Sequence, residues 1–588
     1  MEKRMFYSLR LLQELKSKKY RNMNEGTVRK RIDLAGLTEY KVEISDALEK
    51  ALGYSQLGEY EELIYDQITE YNRNAKNKTM MIKGPRKKFN ETTQRESHQK
   101  NVEYIATKIA GQLGLNTEVI KIMARNHDIG HTFLGHSGEW WISNVKKDLG
   151  LGFYCHNALG PRDLIFSKRI YEEILNTIRE RDPDITDKKI NSIKNRLWLI
   201  MEGIDSHNGE KSEYIYQADA KKTQDDFLKE MMMCHVQEGY DRNIVPATPE
   251  AALMRLCDKI SYVPFDMVDG LREGFINELT PEYKDCLSKF GISQKMIDEA
   301  EETKNYVPIA EELQAILIDD VVKTSRNGNK LSKTKKGVIM TNPNIVIRMS
   351  KEKAYLMHKL RDLNNKEIVN YVVLQEDADT YIPAVSKLIE TFKEYIYNRI
   401  NGDEQLSNSQ QASSEQKFLG LANFYESFTH EENEFVKKML ARARDEAIKN
   451  EVAEAEKIAT GKKSPKELEI QFPNRNYRIK ELSQYLYQNG AGVDKKTKKQ
   501  IIEKLMLGET ESFAYEVAAR YLSTLDDEKF MQTLLDFGII DEKKEESLRI
   551  PYYNLGKEEI RKRIYQDPNW KKIKASQKAE KEDAVVGG

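Results

Sequence analysis

Apolar positions recur along this chain at helical spacing. In HQKNVEYIATKIAGQLGL, which starts at His98, Val102, Ile105, Ile109 and Leu113 share one face while Lys, Glu and Gln fill the rest. Gly114 follows as a stop, and Thr117 stands where a side-chain cap would open a second helix, TEVIKIMARNHDIGH. Val119, Ile120, Ile122 and Met123 are the residues that second helix would bury. FVKKMLARARDEAIKNEVAEAEKI shows the same 3.6-residue period, whereas alternating, strand-like runs are few and short, NIVIRMS near residue 345 being an example. The pattern predicts a mainly α protein.

Two stretches interrupt the periodicity. GDEQLSNSQQASSEQ, from Gly402 to Gln416, is polar and Ser/Gln-rich and reads as a mobile connector. KTSRNGNKLSKTKK, from Lys323 to Lys336, carries six basic residues and no acidic one. It reads as an irregular loop, either simply solvated or folded over a polyphosphate. The tail after Leu555 is charged and expected to fray.

Composition narrows the function classes. With 588 residues the chain can hold about three or four domains, or one large core with insertions. The formal net charge of -1, from 94 Lys+Arg and 95 Asp+Glu, gives no electrostatic case for nucleic acid as the main partner. No run approaches the roughly 20 apolar residues that cross a bilayer, and charges occupy the start MEKRMFYSLRLLQEL, so a cytoplasmic, membrane-free protein is expected. Cys155, Cys234, Cys257 and Cys286 are far apart, which favours reduced, buried thiols.

Histidine placement is the first sign of chemistry: six of nine, His98, His127, His131, His136, His156 and His207, fall between residues 98 and 207. Three of them lie in NHDIGHTFLGHSGE, Asn126 to Glu139. A long imidazole at 127 beside a short carboxylate at 128 can converge on one ion, and glycines at 130, 135 and 138 let the backbone turn close to a ligand. His98 and Asp258 would complete a set of two histidines and two carboxylates with positions left for water and substrate. An HD dipeptide alone says little. The zinc-protease helix HExxH is a poorer fit, because Asp128 stands in place of its glutamate and Gly130 weakens a continuous helix.

The order His98, His127, Asp128, Asp258 resembles the HD-domain metal-dependent phosphohydrolases. The longer pattern HDxGHxxxGHxGE resembles their deoxyguanosinetriphosphate triphosphohydrolase branch. RESH (95–98), CHNALGPR (155–162), DKISYVPFD (258–266), NPNIVIRMSKEKAYLMHKLRD (342–362) and EVAARYLSTLDDEKF (516–530) are similar to further segments of that branch. The family's arginine-rich segment ahead of RxxH has no counterpart in the first 94 residues.

The resemblance implies a helical HD phosphohydrolase core with a large helical insertion and a C-terminal extension. Its divisions would be a divergent helical region at 1–94, the core at 95–400, a connector at 401–417, the insertion at 418–510, closing helices at 511–555 and a charged tail at 556–588. It implies one divalent ion per subunit (Mn, Mg, Fe or Zn) on His98, His127, Asp128 and Asp258. His136 and Glu139 would be an acid/base pair, His131 and His156 would face the phosphates, and Arg162 and Lys259 would counter their charge. Arg95 would sit near the His98 ligand. Tyr262 and Asp266, four and eight residues past Asp258 and so on its helical face, would meet a deoxyribose. Asn157 and His207 would join the substrate site. The implied activity converts a deoxynucleoside triphosphate into deoxynucleoside and inorganic triphosphate. Nucleoside monophosphates or phosphodiesters as substrates, or a silent nucleotide-sensing scaffold, are the alternatives. A homo-oligomer regulated by a second nucleotide or single-stranded nucleic acid is also implied.

Overall fold

The computed structural model describes residues 63–69, 95–166, 173–208, 214–219, 221–272, 276, 278–329, 332–334, 337–339, 345–369, 375–401, 411–468, 472–490 and 493–543. Most of the N-terminal region and the charged tail therefore lie outside the described residues.

Helix α1 (Arg95–Leu113) buries Val102, Ile105, Ile109 and Leu113 as the spacing predicts, and Gly114 ends it at φ +72°. Helix α2 (Thr117–Asn126) buries Val119, Ile120, Ile122 and Met123. Its cap is Asn116, one residue before the expected Thr117: the Asn116 Oδ1 accepts from the backbone N–H groups of Glu118 and Val119, both at 3.0 Å. Both residue types cap, but Asn116 has the extended backbone that a cap requires. The chain then makes α3 (His136–Leu149), α4 (His156–Phe166), α5 (Glu173–Arg181), α6 (Asp187–Asp205), β1 (Ile215–Tyr216), α7 (Gln224–Val236) and α8 (Pro249–Arg272). Helix α8 packs against α1, α2 and α6 and is buried over most of its length.

Beyond α8 follow α9 (Pro281–Phe290), α10 (Gln294–Thr303) and α11 (Val307–Gly328). Helix α11 contradicts the irregular reading of Lys323 to Lys336. Helix runs through Gly328 because Val321, Val322 and Ser325 stay on the buried face, and a short antiparallel pair, β2 (Ser332–Thr334) and β3 (Gly337–Ile339), comes after it. In β4 (Ile347–Arg348) the expected strand pairs antiparallel with β1, Ile347 opposite Tyr216. Helix α12 (Lys351–Asn364) then lies against α8 and is followed by one π-helical turn, Asn365–Val369.

Helices α13 (Gln375–Asn401), α14 (Gln411–Glu426) and α15 (His430–Ala459) come next. Helix α14 already begins within the Ser/Gln-rich stretch. The first half of α15 contributes Phe435, Val436, Met439 and Ala443 to the main core, while its second half joins α16 (Pro473–Asn489) and α17 (Lys495–Lys504) around a separate small core of Ile448, Ala455, Ile479, Leu482, Leu486 and Ile502. Buried Arg478 ties the two: it pairs with Glu451 at 2.6 Å and donates to the Asp148 carbonyl at 3.0 Å. Helices α18 (Glu509–Ser523) and α19 (Asp527–Asp536) return to the main core, where Phe530 stacks on Phe133 at 3.7 Å.

Candidate functional site

Helix α2 stops at Asn126, and residues 127–135 turn beneath α4 before α3 begins. Two glycines make that turn feasible. A Cβ on Gly130 would lie 2.0 Å from the His156 carbonyl, so only glycine lets α4 sit this close, and Gly135 adopts φ +58°. Tyr154 Oη donates to the Gly130 carbonyl at 2.6 Å, and the Asp527 carboxylate accepts from the Leu134 N–H at 2.7 Å. The histidines of this segment are thereby fixed from both sides.

The four residues expected to hold a metal come together. His98 Nε2 lies 3.3 Å from His127 Nε2 and 3.0 Å from Asp258 Oδ1, and His127 Nε2 lies 3.5 Å from Asp258 Oδ1 and 3.3 Å from Asp128 Oδ2. Ligands at about 2.1 Å from a common ion stand about 3.0 Å apart at right angles and about 3.4 Å apart in a tetrahedron, so these spacings fit one divalent cation. The ring orientations agree. His127 Nδ1 donates to the Ala124 carbonyl at 2.8 Å, which turns Nε2 inward, and His98 Nδ1 lies 3.2 Å from Ser261 Oγ. Arg95 Nη1 holds Asp128 Oδ2 at 2.6 Å.

The electrostatics are those of a buried cation site. Burial acts to lower the His127 pKa, yet the carboxylates of Asp128 and Asp258 push it up to about 10. Burial acts to raise both aspartates, and both are instead held well below the usual carboxylate range, Asp128 by His127 and Arg95 and Asp258 by its two histidines.

A second group of side chains lies beside the first. His131 Nε2 is 3.3 Å from Asp128 Oδ1, and its ring stacks on His156 at 3.7 Å between centroids. Glu139 accepts from the His156 backbone N–H at 3.0 Å and sits 2.8 Å from His156 Nδ1. His136 is 70% exposed and 3.4 Å from the same carboxylate, so Glu139 serves both histidines and is closer to His156. Burial acts against the charged forms of both partners, but their mutual attraction raises the His156 pKa and holds Glu139 well below its ordinary value. Burial, followed by the charge of His127, pushes His207 down to about 3, and its Nδ1 donates to the Ile204 carbonyl at 2.5 Å.

Both groups open into a cavity of about 510 Å³. Asn157, Lys259, Tyr262 and Asp266 line it with Arg95, His98, Asp128, His131, His136, His156, His207 and Asp258. Asn157 is fully buried, and neither polar atom of its amide has a hydrogen-bond partner among the described residues. Burial and the neighbouring Asp269 and Asp258 charges raise the Asp266 pKa well above its ordinary value.

Arg162 departs from expectation. It does not line the cavity: its fully buried guanidinium pairs with Glu516 at 2.8 Å and lies over Phe435, in the core behind α4. Six residues past His156 is about 120° around the helix from it, so the two side chains cannot share a face. Conversely, Asn208, Arg242, Arg361 and Asn365 line the cavity without having been singled out. Two had a signal: Asn208 follows His207, and Arg361 lies in the quoted 342–362 segment. Arg242, from a short 3₁₀ turn, and Asn365 had none.

The family model for the HD domain matches residues 95–262. The chain is similar to a deoxyguanosinetriphosphate triphosphohydrolase-like protein of Cereibacter sphaeroides, 29% identical over 185 residues, covering 31% of this chain and 40% of that one. A relative of the same name from a Ruegeria species is 28% identical over 237 residues, 40% of this chain and 53% of the relative. A third, from Geobacter metallireducens, is 28% identical over 182 residues, 31% and 37% of the two chains. The chain thus spans between a third and just over half the length of these curated relatives. The resemblance read from the motifs holds. No helix among the described residues is long and apolar enough to cross a membrane.

Proposed function

We propose that this chain, with its HD domain, hydrolyses deoxynucleoside triphosphates to deoxynucleoside and inorganic triphosphate. The observation that carries the reading is the convergence of two imidazoles and two carboxylates, each imidazole nitrogen within 3.0 to 3.7 Å of both carboxylates and 3.3 Å from the other, on the floor of a cavity large enough for a nucleotide.

His98, His127, Asp128 and Asp258 would hold one divalent ion, Mn, Mg, Fe or Zn, the mixed nitrogen and oxygen set being compatible with each. When bound, such an ion polarises a phosphoryl oxygen and acidifies water. The chain's own groups do the rest. Lys259 and Arg242 meet the charge of the phosphates, and the buried Asn157 amide supplies donors that have no partner among the described residues. His156, fixed by Glu139 through Nδ1 and backbone, presents its other ring nitrogen to anionic oxygen. Water attacks the α-phosphorus, the bond to the 5'-oxygen breaks, and that oxygen takes a proton. His136, exposed at the cavity and 3.4 Å from Glu139, is placed to deliver it. Tyr262 and Asp266 follow Asp258 along α8 at one and two helical turns, where the sugar would lie. An aromatic ring and a carboxyl there would favour deoxyribose.

Chromatography of each of the four deoxynucleoside triphosphates after incubation with the protein and Mg or Mn tests the reading. Deoxynucleoside appearing without mono- or diphosphate is the expected result. Orthophosphate release from monophosphates, with triphosphates left intact, would replace it.

A further inference from the structure

Helix α12 ends against α8, and the residue just past its end lines the cavity. Fully buried Asn364 fixes the junction: its Nδ2 donates to the Val263 carbonyl at 2.8 Å, and its Oδ1 accepts from Tyr283 Oη at 3.0 Å. The next residue, Asn365, donates its backbone N–H to the carbonyls of Arg361 and Asp362 and starts the π-helical turn. Such turns give up regular helical bonding to re-aim a side chain, and they occur often at functional positions. Asn365 lines the cavity, is half-buried, and forms no side-chain hydrogen bond among the described residues.

Its level in the cavity follows from α8. Val263 lies five residues past Asp258, about 7.5 Å along the helix axis. The turn anchored to it therefore sits at the level of Tyr262 and Asp266, past the ion-holding floor. On the function proposed above, with the sugar at Tyr262 and Asp266, the nucleoside would lie here, between α8 and the α12 turn.

From these positions we infer that Asn365 reads the nucleobase and sets which deoxynucleoside triphosphate the site prefers. The inference rests on the function proposed above. A carboxamide offers a donor beside an acceptor, which matches the adjacent amino, imino, carbonyl and ring-nitrogen groups along base edges. Arg361, four residues earlier on the same helix face, also lines the cavity, with its Nη2 3.1 Å from His358 Nδ1. The pair is a hydrogen-bonding wall opposite the sugar-facing residues of α8.

The test is the affinity of the full-length protein, with Mg, for the four deoxynucleoside α,β-imido triphosphates, with kcat/KM for the four natural substrates beside it. Asn365→Ala should flatten the preference, changing the ratio between the favoured and least favoured base by roughly tenfold or more while metal content stays as in the wild type. Asn365→Asp keeps the acceptor and loses the donor, so affinity should move toward the bases that carry an amino group, guanine (with its adjacent N1–H), adenine and cytosine, and away from thymine. Equal weakening for all four bases, or an unchanged ratio, overturns the inference and leaves the proposed function standing. Failure of the wild type to bind any of the four analogues overturns both.

Discussion

The floor of the cavity and its outer wall are built differently. On the floor, the imidazoles of His127 and His98 turn Nε2 toward each other and have Nδ1 engaged, His127 on the Ala124 carbonyl and His98 beside Ser261, and Asp128 is held by Arg95. The wall comes from elements far apart in the chain, Asn208, Arg242, Arg361 and Asn365, gathered only by the packing of α12 and the α6–α7 region on α8. A reactive centre needs its donors fixed to within tenths of an ångström, so its residues sit on adjoining helices with neighbouring supports. A wall that selects among ligands can be varied without disturbing that centre.

Changes on the floor should therefore have the largest effects. Asp258→Ala is expected to lose bound metal and to lower turnover by on the order of 10³-fold or more, checked by elemental analysis beside steady-state kinetics. Retention of either metal or rate would break the contrast. His136→Ala, at the exposed edge of the same site, should keep its metal and lose about 10²- to 10⁴-fold in kcat, the range of a general acid.

Behind α4 the expected loss is of stability instead of chemistry. Glu516 pairs with both Arg162 and Lys146, all three buried. Glu516→Ala leaves two buried cations unpaired and should destabilise the fold by about 3 to 5 kcal/mol in chemical denaturation. Nucleotide affinity of the folded fraction should be unchanged; altered affinity would return Arg162 to the site. Burial acts to raise the Glu516 pKa, but Lys146 and Arg162 hold it well below the usual carboxylate range. Its folded pKa is thus depressed, so its stabilisation is complete above the unfolded value of about 4.3 and fades as pH falls toward the folded one. Glu516→Gln should accordingly flatten the acid limb of the stability curve below about pH 4.3. The smallest effect belongs to Asn116→Ala, which removes the α2 cap at a cost of about 1 kcal/mol.

The floor was legible in the sequence because HDIGH places an imidazole and a carboxylate side by side at the end of an amphipathic helix, and the segments RESH and DKISYVPFD supply His98 and Asp258. Periodicity also gave the buried faces of α1 and α2, although α1 begins three residues before His98 and α2 stops at Asn126, five residues short of His131. Arg162 was misplaced because a motif fixes spacing along the chain, whereas the direction of a side chain depends on helix phase. The basic stretch from Lys323 was misread for a related reason: local charge hid the buried face of Val321, Val322 and Ser325 that carries α11 to Gly328. Arg242 and Asn365 left no local trace, since only tertiary packing brings a 3₁₀ turn and a π turn to one cavity.

The most direct test of the central claim is a single turnover of a deoxynucleoside triphosphate in H₂¹⁸O, with the products resolved by mass spectrometry. Attack of water at the α-phosphorus predicts one ¹⁸O atom in inorganic triphosphate and none in the deoxynucleoside. Label in orthophosphate alongside a nucleoside diphosphate, or no turnover by the metal-loaded protein, would contradict it.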